Sequence, residues 1–180
     1  MSSNLIHSAS FRDPSGFLFK RDGILYRQVN QTYRSHYDLL MGSGLYELLV
    51  KKGALIRHQE TDIAPLAPDT GYKVLQPEVI PFISYPYEWS FSMLKDAALL
   101  TLEICNLSLQ KGMVLKDASA YNIQFLDGKP VLIDTLSFER YDEGTPWVAY
   151  RQFCQHFLAP LALMALTDIR LGQLLRVHID

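Results

Sequence analysis

The twenty residues from Leu115 to Asp134 constrain this chain more than any other stretch. Asp117 and Asn122 stand five residues apart in a non-repetitive loop. A short hairpin follows and reverses at Asp127-Gly128, a pair that readily adopts the positive φ of a tight turn. A second carboxylate, Asp134, closes the returning strand Val131-Leu132-Ile133. A hairpin with one oxygen ligand at its start and another at its end brings both to the same end of a strand pair. The loop ahead of it sets a further carboxylate nearby. Phosphoryl transfer suits such a set, because it asks a protein for charge neutralisation and alignment rather than covalent chemistry. One carboxylate would face the incoming hydroxyl, and a carboxylate with an amide oxygen would hold magnesium, a hard cation that prefers oxygen.

The flanking sequence predicts the rest of an α+β chain. Phe17-Leu18-Phe19 and Ile24 to Val29 read as strands around an Asp22-Gly23 turn. Tyr33 to Lys52 has helical spacing broken at Gly42-Ser43-Gly44, with Ser43 able to cap the second half. Lys51-Lys52-Gly53 is a helix stop. Leu55 to Asp69 gives no clear pattern, whereas Tyr72–Leu75 and Val79–Ser84 read as strands. A long helix is predicted from Ser92 to Lys111, a loop and compact hairpin from Met113 to Glu139, and helices from Thr145 to Leu175. The expected division is a strand-rich unit over 1–84 and a helix-rich unit over 85–180, with the join at Ser84 to Trp89. Of the join's aromatics, Tyr85, Tyr87 and Trp89, packing is the first expectation and stacking on a base the second.

Composition narrows the function. With 48% hydrophobic residues the chain can fill a core, and a net charge of −2 argues against a nucleic-acid binder held by bulk phosphate attraction. Phe157 to Leu166, the most apolar run, is too short to span a bilayer and reads as a core helix, so no membrane is expected. Cys105 and Cys154 read as buried free thiols in a reducing compartment, and with no secretory signal in Met1 to Arg12 the expectation is cytoplasmic. His7, His36, His58, His156 and His178 lack metal-ligand spacing and read as surface or core residues, and Glu139 to Glu143 as a solvated loop.

The segment 115–136 resembles the catalytic loop and metal-binding segment of the protein-kinase-like superfamily, His-Arg-Asp, four residues, Asn, then a hairpin and Asp-Phe-Gly. The resemblance implies a two-lobe kinase-like fold with a truncated helical second lobe. It implies Asp117 as catalytic base and Asn122 and Asp134 as magnesium ligands for ATP. It also implies Arg27, on the strand before the first helix, paired with Glu47 twenty residues on, in place of the nucleotide-binding Lys–Glu pair. This sequence departs from the pattern at Leu115-Lys116 and at Asp134-Thr135-Leu136, and it lacks a GxGxxG loop, for which Gly16 is a weak stand-in. The whole chain also resembles the N-terminal region of bacterial S-adenosylmethionine-dependent methyltransferase-like proteins, some nodulation-related. That likeness is carried by Phe153 to Ala162 and Arg170 to Leu175. It implies an excised domain, with the methyl donor and its glycine-rich turn in a part of the protein beyond Asp180.

Three readings stand open from sequence. The chain is a magnesium-dependent phosphotransferase, active or degenerate, acting on an unidentified hydroxyl acceptor. Alternatively it is a non-catalytic module that presents substrate to, or regulates, a methyltransferase domain of the same chain. The third is a protein-interaction domain, which would leave Leu161, Leu163 and Leu166 poorly covered.

Overall fold

The computed structural model describes residues 13–177 and the backbone of Leu5 and Ile6. His7 and His178 lie outside the described residues. Strands β1 (Leu5–Ile6), β2 (Gly16–Arg21), β3 (Ile24–Asn30), β4 (His58–Thr61) and β5 (Gly71–Pro77) form one antiparallel sheet in the order β1-β2-β3-β5-β4. The β2–β3 turn is built as its sequence requires, with Asp22 at φ 53° and Gly23 at φ 80°. Between β3 and β4 run α1 (Arg34–Gly42) and α2 (Leu45–Lys51). Gly44, at φ 74°, separates them, and Ser43 Oγ accepts the Leu45 N–H at 3.3 Å.

The expected strand over Val79–Ser84 does not form. Pro81, in its middle, lacks an N–H, and the stretch runs as an irregular connector with Val79 and Phe82 exposed. Helix α3 (Phe91–Leu109) then starts at Ser90, whose hydroxyl accepts the Met93 N–H at 3.3 Å. Beyond it come β6 (Met113–Leu115), β7 (Ile123–Leu126), β8 (Lys129–Leu132) and β9 (Phe138–Arg140). Glu139 and Arg140 thus belong to a strand, and only Asp142 and Glu143 lie in the exposed loop.

The C-terminal part is helical but irregular. After α4 (Tyr150–Phe153) comes one π turn over Cys154–Leu158, then α5 (Ala159–Leu166) and a 3₁₀ stretch over Ile169–Arg176. Only Pro160 and Met164 of α5 are buried. The expected core helix is therefore a surface helix: Leu163 and Leu166 are exposed, Leu161 half-buried. No helix among the described residues is long and apolar enough to cross a membrane. Cys105 and Cys154 are free, the first buried and the second half-buried.

The fold is mixed α and β with antiparallel sheets. Its largest buried cluster crosses the expected division, running from Leu40, Leu45, Leu49 and Leu55 to Leu94, Ile104, Met113 and Phe157. A smaller one packs Val29, Tyr33, Tyr37 and Leu75 around Leu136. Beside it His58, 7% exposed, meets the Tyr37 hydroxyl through Nε2 at 3.2 Å. That hydroxyl donates to Glu60 at 2.9 Å, so it takes the proton of His58 Nε2, and Nδ1 is left without a partner.

Burial then lowers the His58 pKa to about 4, with the Glu60 charge opposing and the Arg27 charge reinforcing the shift. A histidine depressed in the folded state contributes stability above its unfolded pKa of about 6.5 and loses it as pH falls toward the folded value. Urea unfolding at stepped pH is expected to show a loss of about 3 kcal/mol from this group between pH 7 and pH 4, which His58→Gln removes.

Candidate functional site

Two nested strand pairs build the site. The inner pair is the β7–β8 hairpin, in register Ile123↔Leu132 to Leu126↔Lys129, turning at Asp127 (φ 51°) and Gly128 (φ 76°). The outer pair is β6–β9, in register Met113↔Arg140 to Leu115↔Phe138. Between them the loop after β6 and the turn before β9 face one another. Lys116 N–H donates to Ser137 O at 2.9 Å, and Ile133 N–H donates to Asn122 O at 2.8 Å. Asp117 and Asp134 therefore lie where the ends of the two strand pairs meet. They line a common cleft of about 300 Å³ with Asp13, Lys116, Leu136 and Gln152.

Asp134 is the most heavily engaged of these side chains. Its Oδ1 accepts from Arg27 Nη1 and, at 3.2 Å, from the Leu136 N–H. Its Oδ2 accepts from the Ser137 hydroxyl at 2.7 Å. Burial alone would raise its pKa, but the Arg27 guanidinium, the Ser137 and Leu136 hydrogen bonds and the Lys116 charge together hold it below the ordinary carboxylate range. Asn122 joins the group at one remove, its Nδ2 donating to Ser137 Oγ at 3.4 Å.

Asp117 is half-buried, and its Oδ1 accepts the Ser119 N–H at 2.9 Å. Glu47 is not brought to Arg27. It is exposed on α2 and has no ion pair among the described residues, while Arg27 takes Asp134. The expected Arg27–Glu47 pair is thus replaced by Arg27–Asp134, because Arg27 sits in the middle of the sheet and its fork reaches across to the turn after β8.

Sequence reasoning missed three parts. Gln152 on α4 accepts the Ala118 N–H at 2.7 Å, and Asp13 reaches the cleft from ahead of β2. His156, fully buried on the π turn, accepts the Ala120 N–H at Nδ1 at 3.2 Å and meets Ser119 Oγ at 3.3 Å. It braces the loop from a distant helix, where the kinase-like pattern places its histidine within the loop itself. No local pattern links Gln152 or His156 to the loop, because they lie 34 and 36 residues from Ala118 and Ala120.

Magnesium and ATP are the groups the resemblance implies, and the donor set does not suit the metal. Three donors occupy a carboxylate with about four lone-pair positions, one of them a guanidinium that already neutralises it. A divalent ion about 4 Å from a guanidinium at an effective dielectric of 20 would meet about 8 kcal/mol of repulsion. Among the described residues no group of three or more His, Cys, Asp or Glu could hold a metal ion.

The connector offers a nucleotide base little. Glu78 N–H is donated to Arg57 O at 2.8 Å, and both backbone groups of Ser84 are taken by the buried Gln124 side chain at 3.0 Å. Trp89 is buried, donates to Ser84 Oγ at 2.9 Å and meets Phe125 edge-on, while Tyr85 and Tyr87 stack on each other. Gly16, the stand-in for a phosphate loop, serves packing. A Cβ there would lie 2.1 Å from Gln28 O and 2.8 Å from Leu136 Cδ1.

No family model matches the chain. Over 164 residues, 90% of its length, the chain is 36% identical to Nodulation protein NoeA of Rhizobium meliloti (strain 1021). It spans 34% of that protein, about a third.

Gly16→Ala is expected to cost about 1–3 kcal/mol or more in chemical unfolding, because backbone as well as Leu136 must shift. A phosphate-loop role without close packing would leave stability unchanged.

Proposed function

We propose that the chain is a kinase-like domain serving as a non-catalytic accessory module of a longer protein. One observation carries this reading: Asp134, the position that would hold the cation, is ion-paired with Arg27. The engaged backbone N–H groups of Glu78 and Ser84 on the connector support it, as does the match to about a third of a nodulation protein. Exposed apolar side chains also support a module that meets further protein, Val79 and Phe82 on the connector and Leu158, Leu166 and Ile169 on the last helices. On this reading the chemistry belongs to the rest of the longer protein, where the resemblance implies a methyltransferase using S-adenosylmethionine.

A second reading, a divergent phosphotransferase, is favoured by Asp117 and Lys116 lining the same cleft as Asp134. In it Asp117 would orient an acceptor hydroxyl, and Asn122 and Asp134 would hold the magnesium that neutralises the phosphates of ATP.

Isothermal titration with ATP and magnesium, paired with a labelled-phosphate transfer assay, separates the two. The accessory reading expects no Asp134-dependent heat at millimolar nucleotide and no transfer. Saturable binding that disappears in Asp134→Ala, accompanied by transfer, would establish the phosphotransferase instead.

A further inference from the structure

We infer that the Arg27 guanidinium is a resident cation on Asp134, closing the cleft to divalent metal ions, and that removing it opens an oxygen-ligand metal site. The inference rests on the reading of Asp134 as the cation-holding position of a kinase-like site. It adds a specific role for Arg27, that of the ion's replacement.

Arg27 is not a loose surface arm. It stands on β3, paired with Leu18 of β2 on one side and Leu75 of β5 on the other, and its side chain is 12% exposed. Asp134 is fixed as firmly, by Leu136 N–H and the Ser137 hydroxyl. A magnesium or manganese ion entering the cleft would need an Asp134 oxygen at about 2.1 Å, in competition with donors that are already in place.

The chain also supplies a second positive charge at the same cleft. Lys116 lines it, held by Ser15 Oγ at 2.7 Å and lying 4.9 Å from the centre of the Tyr33 ring. Two fixed cations thus stand where a metal would otherwise be needed. With Arg27 gone, Asp134 Oδ1 keeps only the Leu136 N–H as a donor in a cleft that Asp117 also lines, and the Asn122 amide stands one hydroxyl away through Ser137. Oxygen donors of this kind are what hard divalent cations take.

The test uses Mn²⁺ alone, without nucleotide, on the full chain. Titration calorimetry is run on wild type, Arg27→Met, Arg27→Gln, Asp134→Asn and the double variant Arg27→Met with Asp134→Asn. Wild type is expected to show no saturable binding at millimolar Mn²⁺. Arg27→Met is expected to bind at least about tenfold more tightly than wild type, and the double variant to lose that gain. Arg27→Gln, which keeps a neutral donor for Asp134, supplies the comparison if the methionine variant does not fold. Wild-type binding that Asp134→Asn abolishes overturns the inference, as does a folded Arg27 variant that gains nothing. The outcome is separate from that of the ATP titration. Nucleotide results bear on the kinase-like reading, whereas Mn²⁺ results bear on what Arg27 does to Asp134.

Discussion

The ion pair between Arg27 and Asp134 ties the middle of the first sheet to the turn that follows the β7–β8 hairpin, residues 107 apart in sequence. Both partners are largely buried, so neither tolerates the loss of the other: an uncompensated buried charge costs several times what a surface pair contributes. The turn it grips carries Leu136, fully buried against Val29, Tyr33, Tyr37 and Leu75, and leads directly into β9. Holding Asp134 therefore also sets where β9 begins, and β9 pairs with β6, from which the Asp117 loop emerges.

Other contacts reinforce the same seam. Tyr33 donates its hydroxyl proton to Phe138 O at 2.5 Å, and burial with the nearby Asp134 charge raises its pKa well above that of a free phenol, so it remains a donor. His36 Nδ1 accepts the Arg140 N–H at 3.0 Å, and Lys116 reaches back to Ser15. Gly16 allows β2 to approach Leu136 where any side chain would collide with backbone. The result is a cleft whose walls come from both halves of the chain and whose Asp134 charge is already matched by Arg27.

Much of this was legible in the sequence, because local rules govern it. Both Asp-Gly turns, the break at Gly42-Ser43-Gly44, the long helix ahead of the Asp117 loop and the convergence of Asp117 with Asp134 follow from periodicity, turn chemistry and spacing. What escaped was long-range. The β6–β9 pairing joins two three-residue strands too short to leave a pattern, and His156 acts on Ala120 across 36 residues. Arg27 stands out in the sequence, yet the resemblance points it to Glu47, since sequence spacing cannot tell which of several carboxylates lies across the sheet. Over Val79–Ser84 the β-branched and aromatic residues suggest a strand, which Pro81 interrupts. The run Phe157 to Leu166 misled because apolar composition does not reveal which side of a helix is covered.

The account stands or falls on the coupling between Arg27 and Asp134. A double-mutant cycle with Arg27→Met and Asp134→Asn, measured by urea unfolding, reads it directly. Each single change is expected to cost about 3–5 kcal/mol, and the double change little more than either alone, because removing both charges leaves neither stranded. Costs that simply add would show that the two side chains do not depend on one another, and would contradict the account.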